Sequence, residues 1–273
     1  IDREAVWKRI QKAGLTEAEV GYLWMDDSLG LILDKLDALG IADNTIVVFV
    51  SDHGSERKGS LIKTRGTEIP CLIRWPKVIK PGSVSHGLLQ NTDFVPTWFE
   101  LAGAKAPEDY RMDGKSLLPM FKDPSVSVRK FIYAEQGPGR SIKTDEWEYV
   151  SLRYTDEQIA AAQGNRAERV FKSFLGLSGG ISRAKDFHPG TFSADQLYHL
   201  AHDPTSQKNL AGDQGYARQL RKMKSMLTNT VKKLGPRPYG DFVPGKGTND
   251  AATSQEILDK LSVYHTTNGK KKK

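Results

Sequence analysis

A helical pattern followed directly by a buried strand is the feature that most constrains the fold. Apolar residues recur at helical spacing over residues 16–39, Thr16 and Glu19 form a capping-box pattern at the start, and Gly40 follows the last turn. Every residue of the run 45–50 is β-branched or aromatic. Such a run is typical of a strand covered on both faces, as in a parallel sheet. The order of helix, short turn and buried strand predicts an α/β fold.

Further along the chain the pattern predicts more elements and a change of architecture. Residues 69–75 form a second apolar run, and residues 93–103 have a helical pattern with Pro96 in the first turn. Beyond residues 122–128 we expect shorter strands and two helices: strands at 130–134, 148–154 and 196–200, a short helix at 156–175 and an amphipathic helix at 214–234.

The predicted fold is therefore a mixed, mostly parallel sheet flanked by helices, with a small C-terminal antiparallel sheet and a packed helix. We expect an α/β region over residues 1–125 and the antiparallel subdomain over 126–235. Residues 236–273 are rich in proline, glycine and lysine, which predicts an extended basic tail with a short helix at 253–263.

Charge and composition exclude several classes of protein. The net charge is +7, but the four terminal lysines contribute most of it, and no basic-aromatic module indicates nucleic-acid binding. No apolar run is long enough for a membrane span, and the first residues do not form a signal peptide. The single cysteine, Cys71, lies in an apolar run and is predicted to be a buried, inert thiol.

Asp52 and His53 are the sharpest candidate site residues. They directly follow the first predicted strand, and open α/β sheets bind their ligands at the carboxyl ends of strands. Carboxylate oxygen suits calcium or magnesium, and imidazole suits zinc or manganese. From the residues alone, an Asp-His turn with a local hydrogen bond is the favoured interpretation, and the pair is weak evidence for a metal site.

Four stretches, in order, resemble blocks of the type I sulfatases. The second of these stretches in chain order is the fullest, with VVFVSDHG at 47–54, KGSL at 58–61 and GTEIP at 66–70. The others are YLWMDDSLG with LDKL at 22–36, DFVPT with DGKSLLP at 93–119, and LYHL, DP and NL at 197–210.

This resemblance implies an incomplete alkaline phosphatase-like fold and a sulfuric ester hydrolase. It implies that Asp52 and His53 bind one divalent cation, usually calcium, and that Lys58 reaches the sulfate oxygens and the nucleophile. Arg140 is a further candidate for substrate contact. The family's nucleophile is a formylglycine made from a Cys/Ser-x-Pro-x-Arg motif, which does not occur in these 273 residues. We therefore expect the isolated chain to have no turnover.

The resemblance also leaves alternatives open. The usual Tyr-Glu after the lysine is Ile62-Lys63, so the register of the Lys58 loop is uncertain by one residue. His53 stands where many sulfatases have asparagine, and related phosphonate and phosphodiester hydrolases, with zinc or manganese, also use histidine. A non-catalytic fragment that binds sulfated glycans is the third hypothesis. The expected partner is a sulfated small molecule or glycan, the family is commonly periplasmic, secreted or lysosomal, and the oligomeric state is not indicated.

Overall fold

The chain folds as two units. The computed structural model describes residues 1–54, 66–108, 110–136, 139–153 and 193–234. The first unit comprises Ile1–Phe49 with Cys71–Val84, and the second comprises Val50–Pro70 with Ser85–Lys273.

Two helices begin the first unit. Helix α1 spans Arg3–Lys12 and α2 spans Val20–Ala38. In α1, Val6 and Ile10 are buried, and the Nη1 atom of Arg9 donates to both carboxylate oxygens of Asp27, at 2.7 Å each. The ion pair joins the two helices at the surface, where such pairs contribute little.

The start and end of α2 confirm the predicted helix. The Thr16 backbone N–H and hydroxyl both donate to Glu19, at 2.8 and 2.6 Å, and the Thr16 hydroxyl accepts from Ala18 N at 3.3 Å. A 3₁₀ turn, Glu17–Glu19, leads into the helix. After the helix Gly40 has φ +66°, a left-handed conformation that glycine adopts without strain.

The two apolar runs form a two-stranded sheet. Strand β1 spans Val47–Val50 and β2 spans Cys71–Arg74, so each is shorter than its apolar run. Side chains at the end of β2 pair with segments that precede β1. The Trp75 indole N–H donates to the Asp43 carbonyl at 3.1 Å, and Arg74 lies 3.4 Å from the Asp37 carboxylate.

In the second unit a buried carboxylate fixes the next helix. A 3₁₀ turn, Asn91–Asp93, leads into α3, Phe94–Leu101. The Asp93 carboxylate is fully buried and accepts from Gln90 N, Lys115 N and Arg129 Nε, at 2.8, 2.7 and 2.7 Å. The helical interpretation of residues 93–103 is confirmed, with a boundary shift of one or two residues. Helix α4, Leu118–Lys122, follows.

The small antiparallel sheet and its packed helix are confirmed. Four strands pair in chain order: β3 (Ile132–Gln136), β4 (Gly139–Lys143), β5 (Trp147–Leu152) and β6 (Asp195–His199). Helix α5, Ala217–Val231, packs on them, and the buried cluster comprises Ile142, Tyr149, Leu197, Leu210, Met223 and Leu227.

Strand β4 is the element that the sequence pattern missed. Its residues Gly139 to Lys143 contain one large apolar side chain, Ile142, while Arg140 and Ser141 are buried polar residues. Alternation of apolar and polar residues therefore does not reveal it.

Some expectations lie outside the described residues: the helices at 156–175 and 253–263 and the tail at 236–273. The boundaries drawn at residues 125 and 235 stay predictions. Among the described helices, none is both long and apolar enough to cross a bilayer.

Candidate functional site

The polar turn after β1 holds Asp52 and His53. Two backbone hydrogen bonds join it to the segment before β2: Ser51 N to the Pro70 carbonyl at 3.4 Å, and Gly54 N to the Gly66 carbonyl at 3.0 Å. The Ser51 hydroxyl also donates to the His53 carbonyl at 2.8 Å. The turn that follows β1 is thus bound at both ends, which fixes the backbone of its acid and imidazole.

His53 has a defined tautomer in this turn. Its Nδ1 atom lies 2.9 Å from the Gly54 carbonyl oxygen. Because a carbonyl oxygen can only accept, Nδ1 carries the proton and donates. In the neutral ring the lone pair is then on Nε2, the atom available to a metal or a second proton.

The Asp52 carboxylate faces that lone pair. Its Oδ1 atom accepts from His53 N at 3.0 Å, and Oδ2 lies 3.4 Å from His53 Nε2. The side chain of Asp52 is 80% exposed and that of His53 is 32% exposed. A cation that contacts both atoms would satisfy both lone pairs.

The oxygen of Asp52 and the nitrogen of His53 fit two positions in the coordination shell of a divalent cation. Metal bonds to oxygen and nitrogen are about 2.0–2.6 Å long, so atoms 3.4 Å apart can contact one ion. Calcium takes about six to eight ligands, which two side chains do not supply. No group of three His, Cys, Asp or Glu side chains in the described part of the chain could hold a metal ion.

Lys58 and Arg140 are the other predicted site residues. Lys58 lies in the segment 55–65, outside the described residues. Arg140 lies on β4 and is 2% exposed; its Nη1 donates to the Gly139 carbonyl at 2.8 Å, and its Nε lies 3.2 Å from the Glu135 carboxylate. Its role in substrate contact stays a prediction.

Sequence reasoning missed a partly buried polar cluster around Asp195. This carboxylate accepts from Tyr149 at 2.6 Å, Arg153 at 2.7 Å and Lys224 at 2.5 Å. Burial opposes ionisation, but the hydrogen bonds, first those from Lys224 and Tyr149, outweigh it and hold the pKa of Asp195 below its usual value. Burial, with the charge of Asp195, raises the pKa of Tyr149.

No local sequence signal could have found that cluster. Its members lie on β5, directly after β5, on β6 and on α5, up to 75 residues apart in the chain. Because the Lys224 ammonium comes from α5 and Asp195 from β6, the cluster fixes the helix on the sheet. It is a structural site and does not include the doublet.

The chain matches the sulfatase family and several of its members. The family model for Sulfatase matches residues 21–104, which include α2, β1, the doublet and α3. The ulvan-active sulfatase of Formosa agariphila is 32% identical over 74% of this chain and 40% of its own length. Steryl-sulfatase of Mus musculus is 29% identical over 72% of this chain and 32% of its own length.

A solved structure extends the similarity to the fold. It contains a protein in complex with its substrate D-glucosamine-2-N,6-O-disulfate, with a TM-score of 0.58 and 22% identity over 78% of this chain and 39% of that one. The chain thus spans about two fifths or less of the length of each of these proteins. The family match and the shared fold together show that this chain contains part of a sulfatase-family domain of the alkaline phosphatase-like fold.

Proposed function

We propose that this chain supplies the cation site of an enzyme that hydrolyses sulfate esters of carbohydrates. The observation that carries the proposal is the doublet: the Nδ1 hydrogen bond to Gly54 leaves His53 Nε2 as a lone pair, 3.4 Å from Asp52 Oδ2. Family membership gives the reaction class. The carbohydrate is supported by the names of two of the three similar proteins, which refer to ulvan and to a sulfated glucosamine.

Each residue has a distinct task in this proposal. Asp52 and His53 would hold a divalent cation, calcium by family resemblance, which when bound polarises a sulfate oxygen as a Lewis acid. The Gly54 carbonyl keeps the His53 ring in the metal-binding tautomer. Lys58 would place an ammonium group beside the sulfate oxygens, where negative charge grows in the transition state.

The nucleophile would come from outside these residues. The 273 residues contain no Cys/Ser-x-Pro-x-Arg motif, and Cys71 is followed by Leu72-Ile73-Arg74. In the described part of the chain, no group of three or more His, Cys, Asp or Glu side chains could hold a metal ion. Turnover therefore requires further residues, and we expect the isolated chain to bind a cation without releasing sulfate.

A metal-dependent phosphonate or phosphodiester hydrolase is the second candidate function. The observation that favours it is His53 itself, because an imidazole nitrogen suits zinc or manganese better than it suits calcium. The third hypothesis, a glycan-binding fragment without activity, rests on the net charge of +7. The proposal also includes an extracytoplasmic location, which is supported by the family resemblance alone.

A chimera tests these functions. The 211-residue segment of the Formosa agariphila ulvan-active sulfatase that aligns with this chain is replaced by the corresponding residues of this chain. We expect calcium-dependent release of inorganic sulfate from ulvan oligosaccharides, measured by ion chromatography. Asp52→Ala should lower kcat/KM by about 10²-fold or more, since a lost metal ligand removes transition-state stabilisation.

The control variant is Asp43→Ala, which removes an exposed carboxylate in the turn before β1 and should leave the rate unchanged. Zinc- or manganese-dependent cleavage of bis(p-nitrophenyl) phosphate, with no sulfate release, would favour the second function. A folded chimera that binds the oligosaccharides in a salt-sensitive manner but releases neither product would favour the third.

A further inference from the structure

Helix α5 carries positive charges on the side that faces away from the antiparallel sheet. Met223 and Leu227 are buried against the sheet and fix the orientation of the helix. At about 100° per residue, the exposed positions of α5 and of the turn directly after it lie on the opposite half of the helix. Five of these exposed residues are basic and together form what we call the basic stripe: Arg218, Arg221, Lys222, Lys232 and Lys233.

No carboxylate in this part of the chain balances the stripe. The sequence has no Asp or Glu between Asp213 and Asp241, and the other exposed residues of α5, Ser225 and Asn229, are neutral. Lys224 is the residue of α5 that does form an ion pair, 2.5 Å from Asp195, and it lies off the stripe. The basic stripe itself forms no ion pair with another described residue.

The folding of α5 does not account for these charges. Arg218 lies three and four residues before Arg221 and Lys222, and like charges at these spacings repel each other on a helix surface. Arg218 also lies in the first turn, where the positive end of the helix dipole disfavours a cation, and no acidic residue offsets it there. A local arrangement that opposes stability is expected where function requires it. An anionic ligand would remove the repulsion.

The spacing of the charges suits a polymer better than a single small anion. The basic stripe has one group of cations in the first half of α5, ending at Lys222, and a second group that begins at Lys232. At 1.5 Å per residue these two groups are roughly 15 Å apart. This distance exceeds the Debye length of about 8 Å at physiological salt, so one small anion does not neutralise both groups. A ligand that contacts both must carry several anions along its length.

The side chains between the two groups favour a sulfated glycan over other polyanions. Proteins that bind single-stranded nucleic acids add aromatic side chains on which bases stack, and helices that lie on a membrane add apolar side chains beside their cations. The exposed residues between the groups are instead Ser225 and Asn229, which can form hydrogen bonds with sugar hydroxyls. The names of two of the similar proteins refer to ulvan and to a sulfated glucosamine.

We propose that the basic stripe of α5 binds a sulfated polysaccharide and holds the polymer without help from the cation at the doublet. The choice of sulfate as the anion rests on the proposed function, whereas the location on α5 rests on the exposed charges. The stripe contains neither Asp52 nor His53. Nucleic acid, the terminal lysines and the chain's own undescribed segments give the competing explanations, and each predicts a different result.

Heparin serves as the probe for the full chain, and desulfated, N-acetylated heparin, which keeps its carboxylates, is the matched ligand control. We expect salt-sensitive binding of a fluorescent heparin fragment, measured by anisotropy. Desulfated heparin should bind at least about tenfold more weakly, because it has lost most of its charge. Equal binding of the two ligands, or tighter binding of single-stranded DNA, would overturn the choice of ligand. Loss of heparin binding on addition of EDTA would place the polymer at the doublet and overturn the location.

A triple variant of α5 tests the location directly. Arg218→Gln, Arg221→Gln and Lys222→Gln together remove three charges and preserve the helix, since glutamine is a good helix former. We expect heparin binding to weaken by about tenfold or more at physiological salt, as exposed ion pairs contribute modestly but several act together. The variant should keep the Tm of the parent within about 3 °C, because exposed substitutions have small effects.

Two control variants separate the stripe from net charge and from the lysine tail. Lys77→Gln, Lys80→Gln and Lys105→Gln together make the same change in net charge at exposed positions outside α5. Replacement of the four terminal lysines, 270–273, with glutamine removes the competing basic segment. Each control should weaken heparin binding by less than about threefold. A loss in either control as large as that in the α5 variant would overturn the proposal.

Lysine acetylation gives a second measurement that needs no substitution. Lys222, Lys232 and Lys233 are expected to react readily with acetic anhydride in the free chain and to be protected by heparin, as measured by mass spectrometry. Lys77 and Lys80 should react equally with and without heparin. Lys222 that is unreactive before heparin is added would show that another segment of the chain already covers α5, and unchanged reactivity at all five lysines would show that heparin binds elsewhere. Either result would overturn the proposal.

These measurements do not depend on turnover. A folded chimera that releases no sulfate, together with a chain that binds heparin through α5, would refute the proposed function alone. A chimera that releases sulfate, together with a chain whose heparin binding is the same in the α5 variant and the parent, would refute the binding surface alone.

Discussion

The buried carboxylate of Asp93 gives the sharpest prediction about stability. Its two oxygens accept from four donors. Oδ2 accepts from Gln90 N at 2.8 Å and Arg129 Nε at 2.7 Å, and Oδ1 accepts from Lys115 N at 2.7 Å and from Arg129 Nη2. Asp93→Asn keeps the shape but leaves one acceptor oxygen. Whichever way the amide is oriented, its NH₂ group faces two donors.

The expected cost follows from that geometry. Each buried donor left without an acceptor costs about 1–3 kcal/mol, and removing one partner of a buried ion pair costs about 3–5 kcal/mol. The two descriptions overlap, so we expect Asp93→Asn to lower the free energy of unfolding by about 3–5 kcal/mol. Because Asp93 is fully buried and the Arg129 side chain is only 10% exposed, water does not replace the lost acceptor.

Urea denaturation followed by circular dichroism measures this change. The matched control is Asp113→Asn, which weakens an ion pair to Arg111 of 3.2 Å whose side chains are 60% and 56% exposed. That variant should change stability by less than about 0.5 kcal/mol. A loss below about 1 kcal/mol for Asp93→Asn would refute the account of Asp93 as an anchor for α3.

Three further changes have defined outcomes. The pKa of Asp195 is lowered in the fold, so its stabilising effect is present above about pH 4 and is lost as the pH falls through its folded pKa. The stability difference between parent and Asp195→Asn should therefore shrink at acid pH in urea titrations; a constant difference would contradict this. Gly114→Ala places a Cβ against the Thr92 carbonyl and should cost about 1–3 kcal/mol by thermal melting, whereas Gly212→Ala, with open space around it, should be tolerated. Cys71, predicted to be buried, is only partly buried. This partial burial raises the pKa of the Cys71 thiol, so iodoacetamide should alkylate it more slowly at pH 7.5 in the folded chain than in urea, and equal rates would contradict this.

The sequence predicted correctly those elements whose boundaries are marked by neighbouring residues. The capping box of Thr16 and Glu19 begins the 3₁₀ turn that leads into α2, and the left-handed Gly40 follows its last turn. Both signals can be read from neighbouring residues. The strand before the doublet was found in the same way, with boundaries two residues too wide at its start. Its predicted burial on both faces was wrong, because Val47, Val48 and Phe49 are only partly buried and Val50 is exposed. The antiparallel sheet was also predicted, although β4 was missed because Arg140 and Ser141 are buried polar residues.

Interactions between residues that are far apart in the sequence could not be predicted from it. The charge of Asp195 is balanced by Arg153 and Lys224, and that of Asp93 by Arg129, at sequence separations that no local pattern encodes. For the candidate site, position after a buried strand and family resemblance selected Asp52 and His53. The tautomer of His53 depends on where the Gly54 carbonyl points, which only the folded turn determines.

Imidazole NMR of the chain tests the central claim, that the doublet binds a cation through His53 Nε2. The six histidines act as internal controls, and Mn²⁺ serves as a paramagnetic substitute for calcium. We predict that one ring, protonated at Nδ1, is broadened first on titration, that excess calcium reverses the broadening, and that Asp52→Asn abolishes it. Equal broadening of all six rings, or a His53 ring protonated at Nε2 in the neutral state, would contradict the claim.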